Sequence, residues 1–136
     1  MKELKNTELC HFTIKLPPIS KKNHSQIITN MKTGKPMLIP SKQYRDYEHQ
    51  CAWFMPHGKT ISRAVNLRAV FYMPTRRRVD LVNLLQALCD ILVKYAVLED
   101  DNSHIVASFD GSEVRYDKEN PRTEVWIYDK EDENDS

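Results

Sequence analysis

Apolar side chains occupy every second position from Val65 to Met73, where Val65, Leu67, Ala69, Phe71 and Met73 share one face. That period of two predicts a strand with one buried side. The rhythm then changes. Leu81, Leu84, Leu85, Leu88, Leu92 and Tyr95 return at three- and four-residue steps, with Ile91 on the edge of the stripe, which predicts a helix over Leu81–Tyr95. Asp80 stands just before it, at the N-cap or first-turn position, where unpaired N–H groups and the helix dipole favour a carboxylate. A second helix is predicted over Lys42–Phe54 from Tyr44, Tyr47, Cys51 and Phe54, with Ser41 as N-cap and Pro56 and Gly58 closing it.

Shorter elements surround these. His11–Leu16 alternates and reads as a first strand, stopped by Pro17 and Pro18. A basic loop, SKKNHS, leads to two short apolar runs, Gln26–Thr29 and Met37–Ile39, joined as a hairpin through Gly34. An acidic turn, Glu99-Asp100-Asp101-Asn102, precedes a strand at His104–Phe109, a turn at Asp110-Gly111 and a last strand near Thr123–Tyr128. Strands and helices alternate without regular βαβ units, which argues against a doubly wound fold. The expected architecture is a single α+β domain over residues 1–128, a mixed sheet of about four to five strands with two main helices. Residues 129–136, DKEDENDS, hold no apolar side chain and are expected to be a disordered acidic tail. Tyr44, Tyr47, Trp53 and Phe54 read as core. Trp126 and Tyr128 share a face of an edge-like strand with Glu124, opposite Val125 and Ile127, and suit a dimer interface slightly better than base stacking.

At 136 residues, with 40% hydrophobic and 29% charged residues, the chain can bury one core without disulfide or metal. No apolar run approaches the roughly 20 residues of a membrane span. The start, MKELKNTELCHF, lacks the apolar stretch of a secretory signal, and the three cysteines, Cys10, Cys51 and Cys89, form no CxxC pair. A reducing cytoplasm is the expected location. Charge is distributed unevenly. Residues 1–94 hold 16 Lys and Arg against 6 Asp and Glu, whereas residues 95–136 hold 4 against 13. Such a split fits a basic surface laid on a polyanion, and fits equally an acidic end on a solvated surface.

Candidate chemistry lies where the helix begins and ends. Arg76-Arg77-Arg78 is followed two residues later by Asp80, and Asp100-Asp101 stand just past the helix that Asp80 opens. Carboxylates brought together at strand and helix ends suit magnesium, which takes oxygen ligands and keeps several waters. Arginines beside them suit phosphate through forked hydrogen bonds. Taken alone, the spacing also fits a helix cap, a solvated turn and a soluble loop, and those plainer readings outweigh the site. His49 and His57 lack an HExxH frame, so a zinc hydrolase is not indicated, and Cys89 within the long helix reads as a buried structural thiol.

Longer stretches narrow the choice. Arg76–Ser103, RRRVDLVNLLQALCDILVKYAVLEDDNS, resembles the signature of the RusA-type Holliday junction resolvases, in which an arginine run leads into Asp-Leu-Asp-Asn-Leu, a leucine-rich helix and an Asp-Asp turn. Leu16–Asn23, LPPISKKN, is similar to the family's N-terminal strand and Pro-Pro-Ser-Asn turn, and Met73-Pro74 before the arginines also fits. The resemblance runs from about Phe12 to Ile127. It implies a homodimeric, magnesium-dependent crossover junction endodeoxyribonuclease, with manganese as substitute, that nicks two strands of a four-way DNA junction symmetrically in recombination and repair. Such proteins are often carried by phages and prophages.

By this resemblance Asp80 matches the first catalytic aspartate and Asp101 the one after the helix, with Asp100 its paired neighbour and Asn83 the motif asparagine. Asp80, Asp101 and Asp100 would hold the metal. Two positions depart: the family's second aspartate falls on Val82 and its helix lysine on Gln86. Asp90 lies ten residues beyond Asp80, about 15 Å along a helix, too far to share one ion. Asn83, one turn on, can assist Asp80, and Asp110 could return toward the site if its strand pairs beside the helix start. Arg76, Arg77, Arg78, Lys15, Lys21 and Lys22 are the expected DNA-binding residues. The departures leave open a catalytically weak or inactive branched-DNA-binding protein, and a small structure-selective nuclease of broader specificity.

Overall fold

The computed structural model describes residues 7–21 and 25–130. In chain order they form β1 (Glu8–Ile14), β2 (Ser25–Thr29), β3 (Pro36–Pro40), α1 (Lys42–Cys51), β4 (Val65–Met73), α2 (Leu81–Lys94), β5 (Val106–Ser108), β6 (Glu113–Tyr116) and β7 (Arg122–Asp129). Five strands make one sheet in the order β1-β7-β4, with β5 and β6 both on the far edge of β4. β1, β7 and β4 are antiparallel neighbours, whereas β5 and β6 run parallel to β4. β5 meets β4 at Val65 and Asn66 and β6 at Val70–Met73, so two short strands share one edge. β2 and β3 form a separate two-stranded ribbon. The fold is therefore α+β with a mixed sheet and two helices. Among the described residues no helix is long and apolar enough to cross a membrane.

The sheet has unlike faces because β4 and β7 alternate. Val65, Leu67, Ala69 and Phe71, with Val125 and Ile127, join Leu84, Leu85, Leu88, Ile91 and Leu92 of α2 and Tyr44, Tyr47 and Cys51 of α1 in one core. Ser41 caps α1 as its sequence predicts, accepting from the Tyr44 N–H at 3.2 Å. On the opposite face, His11, Trp126 and Arg68 are successive cross-strand partners. The His11 ring stacks on Trp126 at 4.7 Å, and the Arg68 guanidinium lies 4.4 Å from the same ring. Arg68 runs past Gly111, where an added Cβ would lie 2.9 Å from its side chain.

Several expectations change here. β7 is a central strand, not an edge, and Trp126 is occupied by its neighbours within the chain. The strand expected at His104–Phe109 shrinks to Val106–Ser108, and β6 was not expected at all. β6 escaped notice because Val114 and Tyr116 are exposed, so the strand carries no buried period. Helix α1 stops at Cys51, and Ala52–Phe54 is a single 3₁₀ turn that leaves Trp53 85% exposed rather than in the core. Asp129, placed at the head of the acidic tail, ends β7 instead, buried and ion-paired to Arg63 at 2.7 Å. Lys130, also placed in that tail, is ordered too, its N–H donating to the Ala64 carbonyl at 2.9 Å; residues 131–136, like Lys22, lie outside the described residues.

Candidate active site

Asp80 has the extended backbone of an N-cap, φ −98° and ψ 118°, but its side chain makes no capping hydrogen bond. Its Oδ2 accepts instead from the Asn83 amide at 3.0 Å. The carboxylate is exposed, and the cap position is filled without consuming it. The plainer reading of Asp80 as a capping side chain therefore fails.

The loop after α2 ties itself together. Asp100 Oδ1 accepts from the Asp101 N–H at 2.7 Å and its Oδ2 from the Asn102 amide at 3.2 Å, while Asn102 Oδ1 accepts from the His104 N–H at 2.9 Å. Asp100 thus braces the turn, and Asp101 projects from it. Asp101 Oδ2 accepts from Gln86 Nε2 at 3.4 Å, and the same amide nitrogen donates to Asp90 Oδ1 at 3.0 Å. An amide NH₂ carries two hydrogens, so both bonds can form together. Asp90 Oδ2 in turn accepts from Lys21 Nζ at 2.9 Å. A continuous path therefore leads from Asp101 across α2 to the segment following Pro17-Pro18. The sequence had pointed to its two ends, Asp101 and Lys21, and to Gln86 only as a departure from the family's lysine, but not to their connection through Asp90. The spacing of Gln86 and Asp90, one helical turn apart, was the available signal.

The arginine run occupies the connection from β4 to α2. Arg76, Arg77 and Arg78 are exposed, and the Arg76 guanidinium lies 4.4 Å from the centre of the Tyr116 ring. Arg77 and Arg78 line a cleft of about 570 Å³ whose other wall includes Pro17–Ser20 and Gln43. The structure thus brings the Pro-Pro segment and the arginines to one opening. Lys15 is exposed at the end of β1, whereas Lys21 is half-buried and held by Asp90.

Among the described residues, no three His, Cys, Asp or Glu side chains come together as metal ligands. Asp80, Asp100 and Asp101 accordingly form no three-carboxylate cage, and Asp100 is engaged with its own loop. The oxygen donors that remain, the carboxylates of Asp80 and Asp101 and the Asn83 amide, are of the chemical kind that a hard cation takes, one or two carboxylates completed by water and phosphate. Val82, at the position of the family's second aspartate, is 76% exposed and offers no ligand. Asp110 does not return to the site. It sits where β4 begins, its carbonyl accepting from the Asn66 amide at 3.1 Å and its carboxylate 3.9 Å from Lys130. Cys89 is buried, and burial, with the charges of Asp101 and Asp90 adding to it, pushes its thiol up to about 12, which suits a structural thiol and not a nucleophile.

An exposed carboxylate at Asp80, two residues after an arginine run and paired with no lysine or arginine among the described residues, is what phosphodiester chemistry asks of a protein surface. By class this is a small α+β nuclease domain. The family model for Endodeoxyribonuclease RusA matches residues 15–128, and the chain belongs to that family. Comparison with curated proteins finds no match.

Proposed function

We propose that the protein resolves four-way DNA junctions as a homodimer, hydrolysing two phosphodiesters symmetrically in recombination and repair, with magnesium as its metal and manganese as a substitute. One observation carries the reading beyond family membership. Asp80 and Asp101 are exposed, accept hydrogen bonds from neutral amides, and among the described residues pair with no lysine or arginine, although three arginines stand close in the chain. Carboxylates without a cation partner beside a phosphate-binding run are poised for one.

In this reading Arg76–Arg78 draw the DNA backbone in and neutralise phosphate charge through forked hydrogen bonds. Asn83 orients Asp80, and Gln86 orients Asp101, so that both carboxylates would hold the ion. When bound, magnesium supplies an activated water and stabilises charge on the phosphorus and the leaving oxygen. A dyad relating two such sites would present them to two equivalent strands of a junction. A second reading, a branched-DNA binder with little or no catalysis, is favoured by Val82 and Gln86, which give neither a third carboxylate nor a cation.

A labelled four-way junction, offered with magnesium beside flap and duplex substrates, separates these. Wild type is expected to nick the junction preferentially. Asp80→Asn and Asp101→Asn are expected to lower cleavage by about a hundredfold or more while junction binding persists, because exposed isosteric changes leave stability within about 0.5 kcal/mol. Alanines at Arg76–Arg78 are expected to weaken binding and flatten its salt slope by about 0.9 per lost phosphate contact. Equal cleavage by wild type and both aspartate variants overturns the assignment, and binding without any nicking supports the second reading.

A further inference from the structure

The β2–β3 ribbon is the part of the molecule that the core leaves unused. Ile27 and Leu38 are cross-strand partners, 74% and 69% exposed. Directly opposed residues of an antiparallel pair point to the same side, and alternate positions repeat it, so Thr29, Pro36 and Pro40 share their face. At the turn Met31 is 94% exposed. A contiguous exposed apolar patch on a small domain marks a contact surface.

Charge and position identify what meets it. From Leu9 to Arg45 the chain contains six lysines and Arg45 but no Asp or Glu, and Lys32 and Lys35 stand at the ribbon's turn. This suits a polyanion. Leu38, Ile39 and Pro40 also form one wall of an open groove of about 380 Å³, and Asn83, Gln86, Ala87 and Asp90 of α2 form the other. Asn83 and Gln86 are the amides that hold Asp80 and Asp101. An occupant of the groove therefore has aliphatic side chains on one flank and, on the other, the amides that hold the candidate carboxylates. A nucleic acid strand offers both features at once, base faces to the aliphatic wall and phosphates to the cations at the ribbon's turn.

We propose that the β2–β3 ribbon is a strand-separating wall for branched DNA. Ile27 and Leu38 pack against bases left open at a branch point, Lys32 and Lys35 hold the adjoining phosphates, and the unstacked strand enters the groove toward Asp80 and Asp101. The inference rests on the junction reading given above. Aliphatic side chains are a known means of opening base steps, and opening is easiest where a base already lacks part of its stack or pairing.

The test uses the full chain and a four-way junction carrying 2-aminopurine at the branch nucleotides, first without magnesium and then with it. Wild type is expected to raise the fluorescence severalfold on binding. The double variant Ile27→Thr, Leu38→Thr keeps β-forming residues on an exposed face. It is expected to melt with wild type, to lose most of the fluorescence rise and to cleave at least tenfold more slowly. Lys32→Ala with Lys35→Ala, which leaves the aliphatic face intact, is expected to lower the salt slope of binding by about two. If both double variants unstack, bind and cleave like wild type, the ribbon's role is overturned while wild-type cleavage keeps the junction reading standing. If wild type neither binds nor cuts the junction, both fall. Ribbon-dependent sedimentation with phosphatidylglycerol vesicles, without ribbon-dependent junction binding, also overturns the proposal.

Discussion

Along α2 the inward residues Leu84, Leu85, Leu88 and Leu92 are buried against the sheet, while the outward residues Asn83, Gln86 and Asp90 carry the contacts of the candidate site and Val82 stands exposed beside them. The inward side does what burial demands of a helix: leucines at three- and four-residue spacing meet the buried face of β4 and β7. The outward side departs from an ordinary solvated helix. Val82 is an exposed β-branched residue in the first turn, Gln86 gives its amide to two carboxylates, and Asp90 is ion-paired to Lys21 from a remote segment. The contrast teaches that the core packing and the candidate site lie on opposite sides of one helix, so the proposed chemistry and the stability should be separable.

The largest effect is expected from the inward side. Leu88→Ala empties a fully packed position and is expected to cost about 2–5 kcal/mol of folding stability. Denaturant melts should show it as a lowered midpoint with little change in slope, and the residual folded protein should cleave at the wild-type rate. Val82→Asp, six residues earlier and exposed, is expected to leave the midpoint within about 0.5 kcal/mol and to raise magnesium-dependent cleavage by adding a ligand beside Asp80. A Val82→Asp variant that loses stability as Leu88→Ala does would erase the distinction between the faces.

Gln86 comes next. In the proposed reading its amide, 3.4 Å from Asp101 Oδ2, orients that carboxylate, so Gln86→Leu is expected to lower cleavage or metal affinity by about 10–100-fold, the usual cost of removing a group that orients a metal-binding carboxylate. The informative readout is the magnesium dependence. A positioning role predicts a higher magnesium requirement with partial recovery at high metal, and Asp90→Asn, which leaves an acceptor for Gln86, should be milder. A purely structural role would leave the magnesium midpoint unmoved and change only the melting curve.

What could be read from the sequence follows the same division. β4 was legible to the residue, Val65–Met73, and α2 began at Leu81 as expected, because each buries one face and the burial writes a period into the chain. Elements that bury little left no such mark. β6 lies along an exposed edge, and β5 keeps only Val106–Ser108 of the longer strand expected there. Trp53 was misplaced because hydrophobicity alone assigned it inward, whereas the 3₁₀ turn after Cys51 rotates it to solvent. The family was legible from Arg76–Ser103, and the match over residues 15–128 agrees with it. The path Asp101–Gln86–Asp90–Lys21 was not legible as a whole, since it joins a turn, a helix face and a loop whose proximity is a tertiary fact.

The smallest expected effect asks whether the two faces sense each other. Cys89 lies on the inward side, and its thiol is pushed up to about 12 by burial first, then by the charges of Asp101 and Asp90. Cys51 is likewise pushed up to about 12, mainly by burial, with Asp101 playing no part. An unfolded thiol, at its ordinary value of 9.0, loses its proton before either of these does. Between pH 9 and 12 the native state therefore binds more protons, and stability, complete below pH 9, should fall as pH rises through that window. Alkylation followed peptide by peptide should find Cys51 and Cys89 inert at neutral pH. Asp101→Asn removes one of the charges that hold the Cys89 thiol protonated, so its alkylation profile should move to lower pH while that of Cys51 stays in place. A shift shared by both thiols would mean that the variant loosens the core as a whole. A shift confined to Cys89 would place the Asp101 charge within electrostatic reach of the helix interior, on the opposite side from the groove.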